Sequence, residues 1–190
     1  MLIEILTTLI INNSINIIDS FNNNYNLIVN ERKEINNLKK ELKIINKKQQ
    51  KNLKKIIQDK NLDNEKRVVL AAIAWQETGF GLKVKNSKDG THGSFCMYQI
   101  QSAVAGKRFG LSPNEAKNKL LQDYNFCKKA ALAELSFWEK RKDANYENVF
   151  ARYNAGYKGL NNPAGKKYSE NVILKIKTLK IYLKENGMAY

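Results

Sequence analysis

The sequence is poor in proline, cysteine and histidine, the residues that interrupt helices, form disulfide frameworks and bind metals. Its 190 residues include 2 prolines, 2 cysteines and 1 histidine. So few prolines permit long helices. One histidine, with Cys96 and Cys127 in no metal-like spacing, excludes a His-rich or Cys-rich metal centre, and we expect neither a metal nor another cofactor. Cys96 and Cys127 could form a disulfide or remain free thiols, and the sequence does not decide between these alternatives.

The first 20 residues lack the basic start of a secretory signal and the unbroken apolar run of a membrane span. Polar residues such as Glu4 and Asp19 interrupt the apolar ones. We therefore expect no clear signal peptide and no transmembrane segment. Contact of residues 1–20 with a membrane surface stays an open alternative.

Acidic residues are scarce relative to basic ones, with 18 Asp and Glu against 33 Lys and Arg, a net charge of +15. Residues 65–190 hold 22 of the basic and 11 of the acidic side chains, so the excess is not a basic tail. A positive field favours polyanions such as nucleic acid, anionic membrane or a bacterial wall. No aromatic-basic platform or reader motif is present, so we do not expect a nucleic-acid partner.

Residues 26–60 contain no glycine or proline and predict a helical extension. Its apolar residues follow coiled-coil spacing until Gln49 and Asn52 break the seam. A single amphipathic helix is favoured over a coiled coil, although self-association or attachment to a larger assembly through 26–60 stays open. We place an N-terminal helical extension at 1–62 and a compact domain at 63–190.

The compact domain is predicted to be mainly α-helical, an α+β fold with one small β or loop element. Ser112-Pro113-Asn114-Glu115 is a strong helix start, with a capping box and proline at the first helical position. The predicted elements are a helix over 65–77, a turn-rich loop or hairpin over 81–96, a helix from near Met97, a helix from Ser112, a helix over 120–142, a helix leading into 153–156, a loop over 159–165 and a final helix over 168–185.

The segment Trp75-Gln76-Glu77-Thr78-Gly79-Phe80 places a carboxylate at the end of an apolar helix. The negative end of the helix dipole and nearby aromatic rings would both raise the pKa of Glu77. A general acid that cleaves a glycosidic bond needs such a pKa. The alternative is a solvated glutamate that closes a core helix.

Two later segments carry side chains suited to acetylated sugars, namely Met97-Tyr98-Gln99-Ile100 and Tyr153-Asn154-Ala155-Gly156, with Tyr168 further on. A glutamine amide both donates and accepts hydrogen bonds, and a tyrosine combines a flat face with a polar tip. The alternative is a turn glutamine and ordinary core tyrosines.

These three blocks, in this order, resemble the soluble lytic transglycosylase family, which shares a lysozyme-like fold with goose-type lysozyme. The resemblance covers about residues 65–185. It implies that Glu77 is the catalytic acid and base. It further implies that the substrate-binding residues are Gln99, Tyr153, Asn154, Tyr168 and Ser87. Tyr98, which stands where the family usually has methionine, is also predicted to bind substrate. The chain departs from the family at Cys96, where glycine is usual.

The resemblance implies cleavage of the β-1,4 bond between N-acetylmuramic acid and N-acetylglucosamine in peptidoglycan, with 1,6-anhydromuramic products. One alternative is a lysozyme-type hydrolase in which Asp89 positions water, although Asp89-Gly90 is also a common turn pair. Another is an inactive wall-binding or virion structural protein. The expected place of action is the bacterial cell wall or periplasm, reached from a virion or by another route.

Overall fold

The computed structural model describes residues 24–89 and 92–188. The described chain is mainly helical with a small antiparallel sheet, which confirms the predicted class. The helices are α1 (residues 24–43), α2 (Lys47–Ile57), α3 (Asn64–Thr78), α4 (Ser102–Phe109), α5 (Pro113–Gln122), α6 (Tyr124–Glu139), α7 (Tyr146–Ala155) and α8 (Pro163–Glu185), with a 3₁₀ helix at Gly156–Asn161. The predictions for residues 1–20 lie outside the described residues.

The sheet lies between α3 and α4, and two of its three strands fall in the turn-rich segment 81–96, where a loop or hairpin is predicted. It consists of β1 (Lys85–Asn86), β2 (Ser94–Phe95) and β3 (Ile100–Gln101), in that order. Lys85 pairs with Phe95, and Ser94 pairs with Gln101. Each strand has two residues, so the sheet mainly fixes the loops around it.

The core is built around α3, which packs against α8 and α2. Val68, Leu70 and Ile73 of α3 have no exposed surface. Val172 and Leu179 of α8 are also fully buried. Because α3 is apolar on nearly every side, its polar end at Glu77 is held by a rigid support.

The extension packs on the same core and is not a single helix. The predicted helix over 26–60 is interrupted at 44–46, because Asn46 and Gln49 form a reciprocal capping box that starts α2. Leu42 and Ile56 are buried in the cluster that contains α3. The boundary predicted at residue 62 therefore marks a change in amino-acid composition. The described residues on its two sides share one hydrophobic core.

The predicted helix over 120–142 is divided at Asp123. The Asp123 carboxylate accepts hydrogen bonds from the N–H groups of Asn125 and Phe126, at 2.8 and 3.1 Å, and so caps a new helix.

Two other helices begin elsewhere than predicted. The helix expected near Met97 begins at Ser102, because residues 96–99 form a turn and 100–101 a strand. The last helix begins at Pro163, where the Asn162 side chain accepts from Ala164 N–H at 2.9 Å. Proline at the first position suits this start.

None of the helices within residues 24–89 and 92–188 is long and apolar enough to cross a membrane.

Candidate active site

Glu77 lies in the last turn of α3, immediately before a strained backbone segment. Gly79, Phe80 and Gly81, here called the acid turn, have consecutive φ values of 55°, 57° and 87°. Glycine tolerates this left-handed region, whereas Phe80 is strained in it. The N–H of Phe80 bonds to Ala74 O at 2.9 Å, which closes the helix end.

Thr78 ties the acid turn to the turn at 96–99. Its hydroxyl accepts from Gly81 N–H at 2.8 Å and lies 2.9 Å from Met97 O, to which it donates. Thr78 is buried, so these bonds are protected from water. The neighbour of Glu77 thus links the first two predicted motifs.

The Glu77 carboxylate is half-buried and accepts a hydrogen bond from Tyr168 Oη at 2.6 Å. The pKa of Glu77 is raised from 4.5 to about 7 as the net result of three effects: burial raises it most, the hydrogen bond from Tyr168 lowers it, and the negative charge of Asp89 raises it. The neighbouring Trp75 ring stacks on that of Phe80 in the acid turn, at a centroid distance of 5.7 Å. Near neutral pH both protonation states of Glu77 are populated.

Two tyrosines from the third motif and from α8 stand beside Glu77. The rings of Tyr153 and Tyr168 stack with centroids 6.5 Å apart and planes 13° apart. The Tyr153 hydroxyl donates to Tyr98 O at 2.9 Å, which connects α7 with the 96–99 turn. Burial raises the pKa of both hydroxyls well above the usual range, and the charge of Glu77 adds to this effect.

Gln99 is held at the mouth of the site by its own turn. Its side-chain amide donates to Cys96 O at 3.1 Å and to Lys83 O at 3.3 Å. Cys96 and Gln99 have φ values of 64° and 49°, so Cys96 adopts the left-handed conformation that a glycine would favour. The sulfur of Cys96 forms a disulfide with Cys127 of α6, which decides the question that the sequence left open.

A cleft of about 530 Å³ runs along this site. The predicted residues that line it are Glu77, Asp89, Gln99, Tyr153 and Asn154; others are Asn86, Gln101, Glu134, Trp138 and Arg152. Tyr168 reaches it through its bond to Glu77. The structure therefore brings side chains from all three motifs to one surface.

Ser87 and Tyr98 are placed differently from the other predicted site residues. Ser87 is exposed in the turn after β1 and is not among the described residues that line the cleft. The Tyr98 side chain is fully buried, and only its carbonyl takes part, as the acceptor for Tyr153. A buried ring cannot contact a substrate, so the predicted binding role of the Tyr98 side chain is not supported.

The cleft contains two further carboxylates. Asp89, the predicted second carboxylate, accepts a hydrogen bond from the Ser94 hydroxyl. Glu134 was missed in the sequence; its Oε1 accepts from Trp138 Nε1 at 2.7 Å, and its Oε2 lies 2.8 Å from Arg108 Nη1. A charged residue four positions before Trp138, on the otherwise apolar face of α6, was the signal that could have revealed it.

An exposed aromatic surface adjoins the Trp138 end of the cleft. Tyr157 is 69% exposed and meets the Trp138 ring edge-on at 5.0 Å. The Arg141 guanidinium lies 5.0 Å from the centroid of Tyr157 and 4.6 Å from that of Phe137. This surface offers a flat ring and a positive charge beside the carboxylates.

Comparison with protein-family models, with curated proteins and with solved structures finds no match to this chain. Among the described residues, no group of three or more His, Cys, Asp or Glu side chains could hold a metal ion.

Proposed function

We propose that this protein is a peptidoglycan-cleaving enzyme that acts by lytic transglycosylation, with Glu77 as both general acid and general base. The observation that carries this proposal is the Glu77 carboxyl group, half-buried in a cleft, with its pKa raised to about 7 and Tyr168 bonded to it. A general acid-base group works best when its pKa lies near the working pH.

The proposed reaction needs only one carboxyl group. Protonated Glu77 donates its proton to the glycosidic oxygen, and the bond from that oxygen to C1 of N-acetylmuramic acid breaks. The acetamido group of the same sugar stabilises the oxocarbenium-like centre. The C6 hydroxyl oxygen then bonds to C1 and gives its proton to Glu77, which restores the acid without consuming water.

Tyr168 and Tyr153 suit the second half of this cycle. The Tyr168 hydroxyl donates to the Glu77 carboxylate and so stabilises the ionised form that accepts the proton. Tyr153 stacks on Tyr168 and is anchored to the 96–99 turn, so the pair fixes the direction of the carboxylate. We assign Gln99 and Asn154, at the mouth of the cleft, to binding of the acetylated sugars.

Hydrolysis is the second candidate, and Asp89 favours it. Both Glu77 and Asp89 line the cleft, and the negative charge of Asp89 raises the pKa of Glu77. An inverting glycosidase uses such a second carboxylate to activate water. Glu134 is less suited to this role, because its Oε1 accepts from Trp138 Nε1 and the positive charge of Arg108 lies 2.8 Å from its Oε2.

We extend the proposal to the architecture, a lysozyme-like fold. The order of the elements along the chain supports this fold. The apolar helix α3 ends near Glu77, the small sheet and the 96–99 turn with Gln99 follow, and α7 and α8 then bring Tyr153 and Tyr168 to Glu77. The net charge of +15 suits the anionic peptides and polymers of a bacterial wall. Action at the wall, from a virion or by another route, is part of this proposal.

Assembly through the N-terminal segment stays a prediction. The segment that packs on the core contributes Leu42, Leu53 and Ile56, whereas Leu27 and Ile28 of α1 are 67% and 51% exposed. Sedimentation analysis of the full chain would test self-association.

The test is release of soluble fragments from dye-labelled peptidoglycan by the wild type, Glu77→Gln and Glu139→Gln. Glu139 is exposed at the end of α6 and outside the cleft lining, so its variant controls for loss of one negative charge. We expect Glu77→Gln to lose activity by a factor of at least about 10³ and Glu139→Gln to keep it. Wall binding without release by the wild type would instead favour a binding or structural protein.

A further inference from the structure

Two side-chain amides on α2 donate hydrogen bonds to the carbonyls of the acid turn. Gln49 Nε2 lies 3.0 Å from Gly79 O, and Asn52 Nδ2 lies 2.8 Å from Phe80 O. The two donors are three residues apart, so they project from one face of the helix. In the sequence, Gln49 and Asn52 interrupt the apolar coiled-coil positions. In the structure, their amides bond to the acid turn.

The acid turn needs such support because three consecutive residues have positive φ values. A non-glycine residue such as Phe80 is strained in this region and keeps the conformation only where its surroundings impose it. The two hydrogen bonds from α2 oppose relaxation of this strained backbone. The fit is close, since a Cβ on Gly81 would lie 2.8 Å from Asn52 Nδ2.

The orientation of the Gln49 amide is determined at both ends. Its Oε1 accepts from Asn46 N–H at 2.9 Å in the capping box of α2, which leaves the NH₂ group to donate to Gly79 O. Leu53 and Ile57 anchor α2 in the core. The donors are thus carried by a helix that is itself fixed.

We propose that Gln49 and Asn52 are positioning residues, which hold the acid turn and through it set the direction and the surroundings of the Glu77 carboxyl group. This inference rests on the proposed function for its kinetic readout. It also gives the N-terminal segment a role in catalysis, in addition to any role in attachment.

Gln50 offers a matched control on the same helix. Its side-chain amide donates to Ile45 O at 3.0 Å, a bond of the same kind that does not touch the acid turn. Gln50→Met and Gln49→Met make the same change of side chain. The first removes one amide-to-carbonyl bond, whereas the second removes the bond to Gly79 O and also the capping-box bond from Asn46 N–H. Only Gln49→Met should change kcat and the titration of Glu77.

The experiment compares Gln49→Met, Asn52→Leu, their double variant and Gln50→Met in the full chain. Urea unfolding measures stability, kcat and KM against pH measure activity, and ¹³C NMR of labelled glutamate follows titration of Glu77. We expect the double variant to lose kcat by about 10-fold to 100-fold with KM changed less than about twofold. Because a loosened turn admits water, the Glu77 titration should move to lower pH.

The single variants preserve the test if the double variant does not fold. Gln50→Met should leave both kcat and the Glu77 titration as in the wild type. If Gln49→Met and Asn52→Leu lower stability but leave kcat and the titration unchanged, as for Gln50→Met, the positioning role is wrong. If the wild type does not cleave peptidoglycan, the proposed function fails, but the NMR titration still decides whether α2 controls Glu77.

Discussion

The hydroxyl of Tyr168 donates a hydrogen bond to Glu77 Oε1 at 2.6 Å, across 91 residues of sequence. This bond stabilises the ionised carboxylate, whereas burial stabilises the protonated carboxyl group. The opposition of the two effects leaves the pKa of Glu77 at about 7.

Tyr168→Phe should therefore raise the pKa of Glu77, because it removes the donor but keeps the ring. The limb of the rate profile that reports Glu77 should move to higher pH, as measured by dye release across a pH series. Tyr146→Phe is the matched control, since Tyr146 donates to Glu65 at the same 2.6 Å but far from the cleft. An unshifted limb in Tyr168→Phe would mean that the bond does not set the pKa.

Asp89→Asn should have the opposite effect on Glu77. Removal of the negative charge lowers the pKa of Glu77, so the same limb should move to lower pH. The asparagine still offers an oxygen to the Ser94 hydroxyl. If the enzyme is a transglycosylase, the products of Asp89→Asn should be the same as those of the wild type. A loss of activity by about 100-fold or more at every pH would instead favour hydrolysis through Asp89.

The raised pKa of Glu77 also predicts how stability depends on pH. The folded state holds this proton up to about pH 7, whereas the unfolded chain releases it near 4.5. The contribution is thus complete below pH 4.5 and is lost as pH rises through 7. Glu77→Gln should stabilise the protein by roughly 1–3 kcal/mol at pH 8–9 and change little at pH 4. Urea unfolding at these pH values measures the difference, and equal stability at pH 8–9 would show that Glu77 is not desolvated.

The disulfide between Cys96 and Cys127 joins the 96–99 turn to α6 across 31 residues. Loss of a crosslink of this separation should lower the free energy of unfolding by about 3–4 kcal/mol. Urea unfolding of wild type and of the Cys96→Ser, Cys127→Ser double variant, each with and without reductant, measures this. Reductant should affect only the wild type. The crosslink does not form in solution if the urea midpoint of the wild type is the same with and without reductant and equals that of the double variant.

The sequence predicted the parts of the site that depend on local patterns. An apolar helix followed by Thr78 and Gly79 marked where the helix ends, and the turn-forming residues marked the small sheet. Residue types suited to sugars then picked out Gln99 and Tyr153, which the fold brings to the cleft. Their role in binding stays a prediction.

Features that depend on tertiary contact were missed or misread. Gln49 appeared only as a polar residue at a position where a coiled coil has an apolar one. Its hydrogen-bond partner, Gly79, lies 30 residues away, and the spacing of apolar residues within one helix does not reveal such a contact. Glu134 was overlooked because the cleft that surrounds it forms only when α6 packs against other elements. Tyr98 was assigned to substrate from its place in a motif, but burial removes it from the cleft.

The most direct measurement is mass spectrometry of purified peptidoglycan digested by the wild type and by Glu77→Gln. We predict that the wild type releases muropeptides with 1,6-anhydromuramic ends, each lighter by one water molecule than a hydrolysis product, and that Glu77→Gln releases none. Reducing-end products would contradict transglycosylation and identify a hydrolase. No products from the wild type, or equal products from both proteins, would contradict the assignment of Glu77 as the catalytic residue.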